Sequence, residues 1–348
     1  MIKTAGLLLT VALVACAASE GEHRFERTKA GQIVNSSRAE VVFEGMCDAS
    51  GAVAVGKTRF VIADDEDNIL RMYDLAKGGA ALRRYDVSPD LGLSAPTKNG
   101  ATRSKKSPEE LDIEAATASE GLAYWLSSHG RSKSGKYKPA RFHFFATTLP
   151  DESGDFHLVG EAFVDLVAHL QNDSRFARFK LDEAAQLPPK AHGGLNIEGM
   201  TARTEGGVWI GLRNPTYDGK ALLFSLNNPE GVVQGEPPEF GDPILLDLGG
   251  QGVRGLSFWQ NRFLVISGNG DGGVNSALYI WDPRTQLTAR QLDFDAQKFN
   301  PEAFFTPDER SEFLLISDDG ARLIDDEPCK DLKDPSKKSF RGRWFTLS

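Results

Sequence analysis

The chain has 348 residues, of which 40% are apolar and 26% are charged. This composition is ordinary for a soluble globular protein with room for one large domain or two smaller ones. The formal net charge is −9, and an acidic protein repels nucleic acid and anionic lipid as a whole. We therefore expect no nucleic-acid partner.

The N-terminus has the pattern of an export signal. Lys3 precedes an apolar stretch from Ala5 to Ala15, which is too short to span a bilayer but typical of a signal-peptide core. We predict a signal peptide over residues 1–15, then a linker with a possible closing strand over residues 16–42. Loss of Lys3 with the signal peptide changes the net charge from −9 to −10.

The sequence LVAC at the end of this stretch resembles the lipobox of bacterial lipoproteins, which makes Cys16 the lipidated first residue. The alternative is ordinary cleavage after Ala17, which discards Cys16. Both readings predict an exported protein, either a cell-envelope lipoprotein or a soluble periplasmic one. Membrane contact is expected only through the N-terminal lipid anchor, and the protein is expected to be a monomer.

One short phrase recurs five times: an acidic residue, a small residue and then an apolar run. The copies are Phe43-Glu44-Gly45-Met46, Ile113-Glu114-Ala115-Ala116, Ile197-Glu198-Gly199-Met200, Val253-Arg254-Gly255-Leu256 and Pro301-Glu302-Ala303-Phe304. In the fourth copy an arginine replaces the acid. Repeated strand-rich units are the signature of propellers and solenoids.

Short and alternating apolar runs broken by Gly, Asn and Asp follow each phrase, and these are strand and turn signals. We predict an all-β fold, a five-bladed β-propeller over residues 43–348. Six blades remain an alternative if the segment before Phe43 and the C-terminal strand make another. One short amphipathic helix is predicted over Glu161–Leu170.

A further match, to the phosphate-binding loop, is rejected on context. Residues 51–58 fit the pattern G-x-x-x-x-G-K-[ST], but that loop needs a following helix. Here strand-like sequence lies on both sides, so we predict a hairpin turn at Gly56-Lys57-Thr58.

Propeller geometry predicts where the charged residues meet. Consecutive strands of a blade run antiparallel, so the first strand starts where the second ends. We call this end of the propeller the mouth. The repeat residues Glu44, Glu114, Glu198, Arg254 and Glu302 are expected there. They are joined by residues that end the second strands: Asp64, Asp65, His129, Arg131, Arg213, Asn214, Asp271, Asp318 and Asp319.

Carboxylates gathered near one axis repel each other, and burial raises that cost. Arg254, Arg213, backbone N–H donors, raised pKa values or a bound cation can each offset this cost. Oxygen-rich acidic sites suit Ca²⁺, and Glu44, Glu114, Glu198 and Glu302 are the predicted ligands. The alternative is structural, with each Glu accepting backbone hydrogen bonds from the neighbouring blade. Zn²⁺ is disfavoured because no paired His or Cys has ligand spacing.

Cys47 and Cys329 are the cysteines left after residue 16. Two cysteines in an oxidising compartment can pair, and a ring fold must join its first and last blades. We therefore predict a Cys47–Cys329 disulfide, with two buried free thiols as the alternative.

Several motifs in order resemble a bacterial domain-of-unknown-function family of predicted β-propellers, family 3616. The matching stretches run from residue 43 to residue 320 and are FEGMCDASG, ADDEDN, DIEAA, SHGR, NIEGM, RNP, NPEA and SDDG. The resemblance implies a propeller but no established reaction. The repeated Glu-Gly phrase is also distantly similar to calcium-dependent propeller phytases and phytase-like esterases, whose phosphate-binding residues have no match here.

The sequence thus predicts an exported propeller whose acidic mouth binds calcium and a small-molecule, glycan or peptide ligand. The competing hypothesis is a Ca²⁺-dependent hydrolase of phosphoesters or other esters. In that hypothesis the metal polarises the ester, Arg213 and Arg254 hold the anion, and His129 moves protons.

Overall fold

The structure is a computed structural model that describes residues 1, 33–36, 38–93, 108–150, 155–273, 275–284, 288–296, 298–306 and 311–347. Residues 2–15 of the predicted signal peptide, Cys16 and residues 17–32 of the predicted linker lie outside the described residues. Within the described part of the chain, no helix has both the length and the apolar character needed to cross a membrane.

Five antiparallel sheets form the five blades, and four of them are built from consecutive strands. Two N-terminal strands come first, β1 (Ile33–Asn35) and β2 (Val41–Glu44). Blade one contains β3 (Ala49–Val55), β4 (Arg59–Asp64), β5 (Ile69–Asp74) and β6 (Arg83–Asp86). Blade two contains β7 (Ile113–Ser119), β8 (Leu122–Ser127), β9 (Phe144–Thr148) and β10 (Leu158–Phe163).

Blade three contains β11 (Asn196–Ala202), β12 (Val208–Tyr217), β13 (Lys220–Leu226) and β14 (Ile244–Leu246). Blade four contains β15 (Gly252–Trp259), β16 (Arg262–Gly268), β17 (Ala277–Trp281) and β18 (Arg290–Gln291). Blade five begins with β19 (Pro301–Phe305) and β20 (Glu312–Ser317). A small hairpin of β21 (Leu323–Ile324) and β22 (Glu327–Pro328) follows, and then the long strand β23 (Ser339–Leu347).

Blade five joins the two ends of the chain. Strand β23 pairs with β20 on one side, and β1 and β2 pair with β23 on the other. The N-terminal strands therefore complete the last blade, and no sixth blade forms in the described part of the chain. The predicted disulfide is confirmed: Cys47 and Cys329 are bonded, with 5.9 Å between their Cα atoms.

The predicted helix is displaced from its expected position. Residues 161–163 belong to strand β10, and the helix α1 (Leu166–Asn172) begins after it. Two further short helices occur, α2 (Leu181–Ala184) and α3 (Pro229–Val233). Short 3₁₀ turns span Pro139–Phe142, Ala177–Phe179, Cys329–Asp331 and Pro335–Lys337. Residues 161–163 form strand rather than helix because they extend the ladder of blade two beside β9.

The core lies between neighbouring blades, where apolar faces of adjacent sheets pack in clusters. The inner strands β3, β7, β11, β15 and β19 approach each other closely around the axis. At Gly199 an added Cβ would meet the Val253 side chain at 2.4 Å. This approach explains why the repeat phrase requires a small residue after the charged one. At residues 56–58 the structure has a hairpin turn between β3 and β4, as predicted.

Candidate functional site

Each inner strand carries a register irregularity at the same place, near its start at the mouth. The pairing with the second strand shifts around Glu114, Glu198, Arg254 and Glu302. A bulge adds one residue to a strand and redirects its side chain. The repeat phrase is therefore the sequence of a bulge, and its charged residue occupies the extra position.

The predicted position of the first copy of the phrase, with Glu44 at the mouth, is wrong. Glu44 ends the outer strand β2 of blade five, pairs with Ser339, and is exposed. In blade one the register shifts between Ala49 and Ala52 instead. Ser50 occupies the position that Glu114 has in blade two, and its hydroxyl donates to the Ile113 carbonyl at 2.6 Å. Four charged residues and one serine, which we call the bulge residues, therefore surround the axis.

Glu198 is neutralised within its own blade. Nη1 of Arg213, on the neighbouring strand β12, lies 2.8 Å and 2.9 Å from the two Glu198 carboxylate oxygens. The Asn196 side-chain amide donates to Oε1 at 2.6 Å, and Arg213 Nε donates to the Asn269 carbonyl at 2.9 Å. Both charged side chains are almost completely buried. Because its Nε and Nη1 donors are engaged by Asn269 and Glu198, Arg213 is a structural counterion in this arrangement.

Arg254 of blade four neutralises Glu302, the bulge residue of blade five. Its Nη2 contacts Glu302 directly and lies 3.3 Å from Asp318, while Nη1 donates to Asn300 Oδ1 at 2.9 Å. Asn300 in turn donates to Asp318 at 3.1 Å. Burial raises the pKa of Glu302, and the positive charge of Arg254 opposes this shift. The pair links blades four and five.

Glu114 has no salt-bridge partner among the described residues. Burial raises its pKa well above the usual value, and the negative charges of Glu198, Asp112 and Glu302 raise it further. The positive charge of Arg213 opposes these shifts and is the smallest of the named causes. Glu114 is therefore the bulge residue whose charge is least compensated.

Beside it, three aspartates converge at the end of β4. One carboxylate oxygen from each of Asp48, Asp64 and Asp65 lies within 4.8 Å of the others; we call these residues the aspartate triad. Burial raises the pKa of Asp48 to about 7, and the charges of Asp318 and Glu66 contribute. Burial also raises the pKa of Asp65, and Glu114 is the next cause. Oδ1 of Asp65 is buried without a hydrogen-bond partner among the described residues.

The arrangement of the triad is that of a cation site. A group of carboxylate oxygens with this spacing could hold a metal, and hard cations with oxygen ligands are the matching class. The ligands differ from those predicted. Asp64 and Asp65 were expected at the mouth, whereas Glu198 and Glu302 are occupied by arginines.

The remaining predicted residues have different surroundings. His129 is fully buried, its Nδ1 is hydrogen-bonded to the Ser127 carbonyl at 2.8 Å, and burial lowers its pKa to about 4. Arg131 donates to the Ala185 carbonyl at 2.9 Å, and Asn214 donates to the Ala191 carbonyl at 2.8 Å. Both therefore hold the inserted segment between blades two and three.

Two predicted acids lie away from the triad. Asp271 is exposed and accepts a hydrogen bond from the Gly273 amide at 2.9 Å. Asp319 is buried, and its Oδ1 accepts a hydrogen bond from Arg341 Nη2 at 2.7 Å. These contacts stabilise a turn and blade five respectively.

Two cavities border these groups. The central channel, about 430 Å³, is lined by the inner strands and includes Glu114, Glu198 and Glu302. A second cavity, about 530 Å³, which we call the groove, lies between blade one and residues 330–338, which we call the C-terminal segment. Its lining includes Asp48 and Asp64, and also Lys330 and Lys338.

Two residues of the site were missed from the sequence as site residues, Asp48 and Ser50. The stretch Asp48-Ala49-Ser50-Gly51 carries the signal that would have found them. Ser50 and Gly51 reproduce the bulge and small-residue positions of the phrase, although serine replaces the charge. Asp48 also packs closely against Gly320: a Cβ added to Gly320 would lie 1.8 Å from Oδ1 of Asp48.

The fold and site define a class, a five-bladed β-propeller with a buried, charged mouth. Residues 157–300 match the family model described as "Protein of unknown function (DUF3616)". This match confirms the predicted resemblance to that family, over a shorter range than the motifs suggested. No curated protein matches the chain. The distant resemblance to propeller phytases stays a prediction.

Similar solved structures include propeller enzymes. The glutaminyl cyclase of Myxococcus xanthus is 9% identical, with a TM-score of 0.46, 91% of this chain covered and 98% of that one. The PQQ-bound aldose sugar dehydrogenase of Streptomyces coelicolor is 11% identical, with the same score and coverage. At such identities these likenesses say nothing about activity.

Proposed function

We propose that this protein is an exported propeller that binds Ca²⁺ at the aspartate triad and uses the loaded mouth to bind a ligand. The observation that carries the proposal is the triad itself, three carboxylates whose oxygen atoms lie within 4.8 Å of one another. Burying three ionised carboxylates close together raises the free energy of the folded protein, and a bound divalent cation offsets that cost.

Ca²⁺ fits the donor set better than other cations do. It takes six to eight oxygen ligands in flexible geometry, whereas Mg²⁺ demands a near-ideal octahedron. The triad supplies oxygens alone, without the His or Cys ligands of zinc. The unpartnered Asp65 Oδ1 supports the same assignment, because a buried carboxylate oxygen is normally satisfied.

Hydrolysis has weaker support than binding. The three residues assigned to catalysis do not form an open site: Arg213 pairs with Glu198, Arg254 pairs with Glu302, and His129 is fully buried. A hydrolase built on this mouth would instead depend on the cation to polarise the ester and activate water. Binding without turnover is therefore the function that we propose.

Export remains part of this proposal. The N-terminal pattern predicts a signal peptide and a lipidated Cys16. The Cys47–Cys329 disulfide supports an oxidising compartment, because such bonds persist mainly outside the cytosol.

Calorimetry with Ca²⁺ tests the proposal. We expect saturable binding to the purified protein and a higher melting temperature at saturation, since a ligand that binds only the folded state stabilises it. Asp64→Asn should weaken Ca²⁺ binding at least tenfold, about 1.4 kcal/mol. Asp271→Asn removes a mouth carboxylate outside the triad and should leave the affinity unchanged. Equal losses in both variants, or no binding by the wild type, would refute the triad as the site.

A further inference from the structure

The groove has walls of opposite charge. Asp48, Asp64, Glu66 and Asp67 line it on the blade-one side, where Asp67 is already paired with Arg71. The C-terminal segment supplies Lys330, Lys333 and Lys338, and Arg84 of β6 completes the basic lining. Lys330, Lys333 and Arg84 are exposed and have no salt bridge among the described residues. Cationic groups therefore lie beside the proposed cation site without partners of their own.

The charge balance of the groove changes sign when a cation binds. The lining contains five acidic residues, Asp48, Asp64, Glu66, Asp67 and Asp331, and five basic ones, Arg71, Arg84, Lys330, Lys333 and Lys338. Asp65, the third member of the triad, adds one more carboxylate. Counted with every carboxylate ionised, the formal charge is −1 without the cation and +1 with it. The bound cation also offers a phosphate oxygen a coordination position, so an anion should bind the groove after the cation, not before it.

We propose that the groove binds a phosphate monoester, with one phosphate oxygen completing the coordination of the cation and the others facing the C-terminal lysines. This inference rests on the proposed function, because it needs the cation at the triad. A phosphate monoester carries a charge of about −1.5 to −2 at pH 7 and three acceptor oxygens. It can therefore satisfy the cation and several ammonium groups together, whereas a carboxylate carries one charge.

The disulfide holds the two walls of this site together. Cys47 precedes Asp48 of the acidic wall, and Cys329 precedes Lys330 of the basic wall. The Lys338 ammonium group donates to the Lys330 carbonyl at 2.9 Å, which fixes the two ends of the C-terminal segment. The basic wall is therefore positioned by covalent and hydrogen bonds.

Calorimetry with glycerol 2-phosphate tests this site separately from Ca²⁺ binding. We expect binding in saturating Ca²⁺ and at least tenfold weaker binding when EGTA removes the cation. Lys330→Gln combined with Lys333→Gln should weaken phosphate binding about tenfold, because two exposed ammonium groups of the groove are removed together. Ca²⁺ affinity should stay within twofold in this double variant. Lys337→Gln, outside the groove lining and next to Lys338, is the matched control.

The two readouts separate the two proposals. If Ca²⁺ binds the triad and glycerol 2-phosphate does not bind, or if galacturonate binds as tightly, the phosphate proposal is overturned and the cation site remains. If Ca²⁺ does not bind, both the phosphate proposal and the proposed function are refuted. Sedimentation with phosphatidylcholine vesicles, with and without phosphatidic acid, distinguishes the sources. Binding to phosphatidic acid supports a lipid phosphate, and binding to glycerol 2-phosphate alone supports a soluble ester.

Discussion

The mouth has two halves that differ in how their buried carboxylates are compensated. In blades three to five, Glu198 and Glu302 each have a buried arginine as counterion. In blades one and two, Glu114 and the aspartate triad have no such partner among the residues that the structure describes, and burial raises their pKa values. We call these the arginine half and the carboxylate half.

The difference shows that a repeated residue need not have a repeated role. The bulge gives every inner strand one side chain at the mouth, but the neighbouring strand decides how its charge is compensated. The arginine half is complete within the protein, so it is structural. The carboxylate half has no buried counterion for these groups among the described residues, which is why we propose the cation there.

The largest effect should come from breaking a pair in the arginine half. Arg213→Met leaves Glu198 buried without its counterion and should cost about 3–5 kcal/mol of unfolding free energy. Urea unfolding measures it, with Arg262→Met on the exposed end of β16 as control. A loss below about 1 kcal/mol would mean that the pair is not structural.

The next effect concerns the bond that joins the groove walls. Replacing Cys47 and Cys329 with serine should cost about 2–5 kcal/mol, because the bond closes a long loop of the unfolded chain. Ca²⁺ affinity should fall as well, because Asp48 follows Cys47 directly. Urea unfolding with and without reductant measures the loss, and reductant should not affect the double variant. Unchanged wild-type stability after complete reduction would contradict this account.

A smaller effect is expected from pH in the absence of Ca²⁺. The pKa of Asp48 is about 7 in the folded protein and near 3.8 in an unfolded chain. Folding therefore takes up a proton between these values, so stability is greatest at the acidic end and falls as pH rises through 7. Thermal unfolding between pH 5 and pH 8 should show this fall, and saturating Ca²⁺ should reduce it. Asp48→Asn should flatten the profile, and an unchanged slope would exclude Asp48 as its source.

The smallest effect should be a gain in stability. Glu114→Gln removes a carboxylate that burial and its acidic neighbours disfavour, so it should stabilise the Ca²⁺-free protein by about 1 kcal/mol at pH 8. Glu120→Gln, in the exposed turn that follows the same strand, should have no effect. Destabilisation by Glu114→Gln would indicate a structural hydrogen bond instead.

Much of the fold could be predicted because the repeat phrase encodes a local bulge and a close approach between strands. The five blades, the ring-closing disulfide and the hairpin at residues 56–58 follow from local patterns of that kind. The assignment of Glu44 failed because its phrase matches in letters while its strand lies at the outer edge of blade five. The role of Glu44 depends on pairing with β23, almost three hundred residues away, and no local pattern contains that information.

The chemistry of the site was less accessible from sequence. The sequence predicts the same role for all four glutamates, because counterion contacts such as that of Arg254 with Glu302 join neighbouring blades and leave no local pattern. His129 is a predicted proton carrier because histidine titrates near neutral pH, yet it is fully buried, with its ring against Phe142, and no local pattern shows this. Asp48 was missed because it lies just before its strand, outside both sets of positions that the geometry selected.

A crystal structure determined in the presence of Ca²⁺ tests the central claim most directly. The account predicts one cation bound by Asp48, Asp64 and Asp65, at about 2.3–2.6 Å from their carboxylate oxygens, with both arginine pairs intact. A cation bound instead by Glu198 and Glu302, with Arg213 and Arg254 displaced, would contradict the division of the mouth into two halves. An ordered triad without any cation at saturating Ca²⁺ would contradict the proposed function itself.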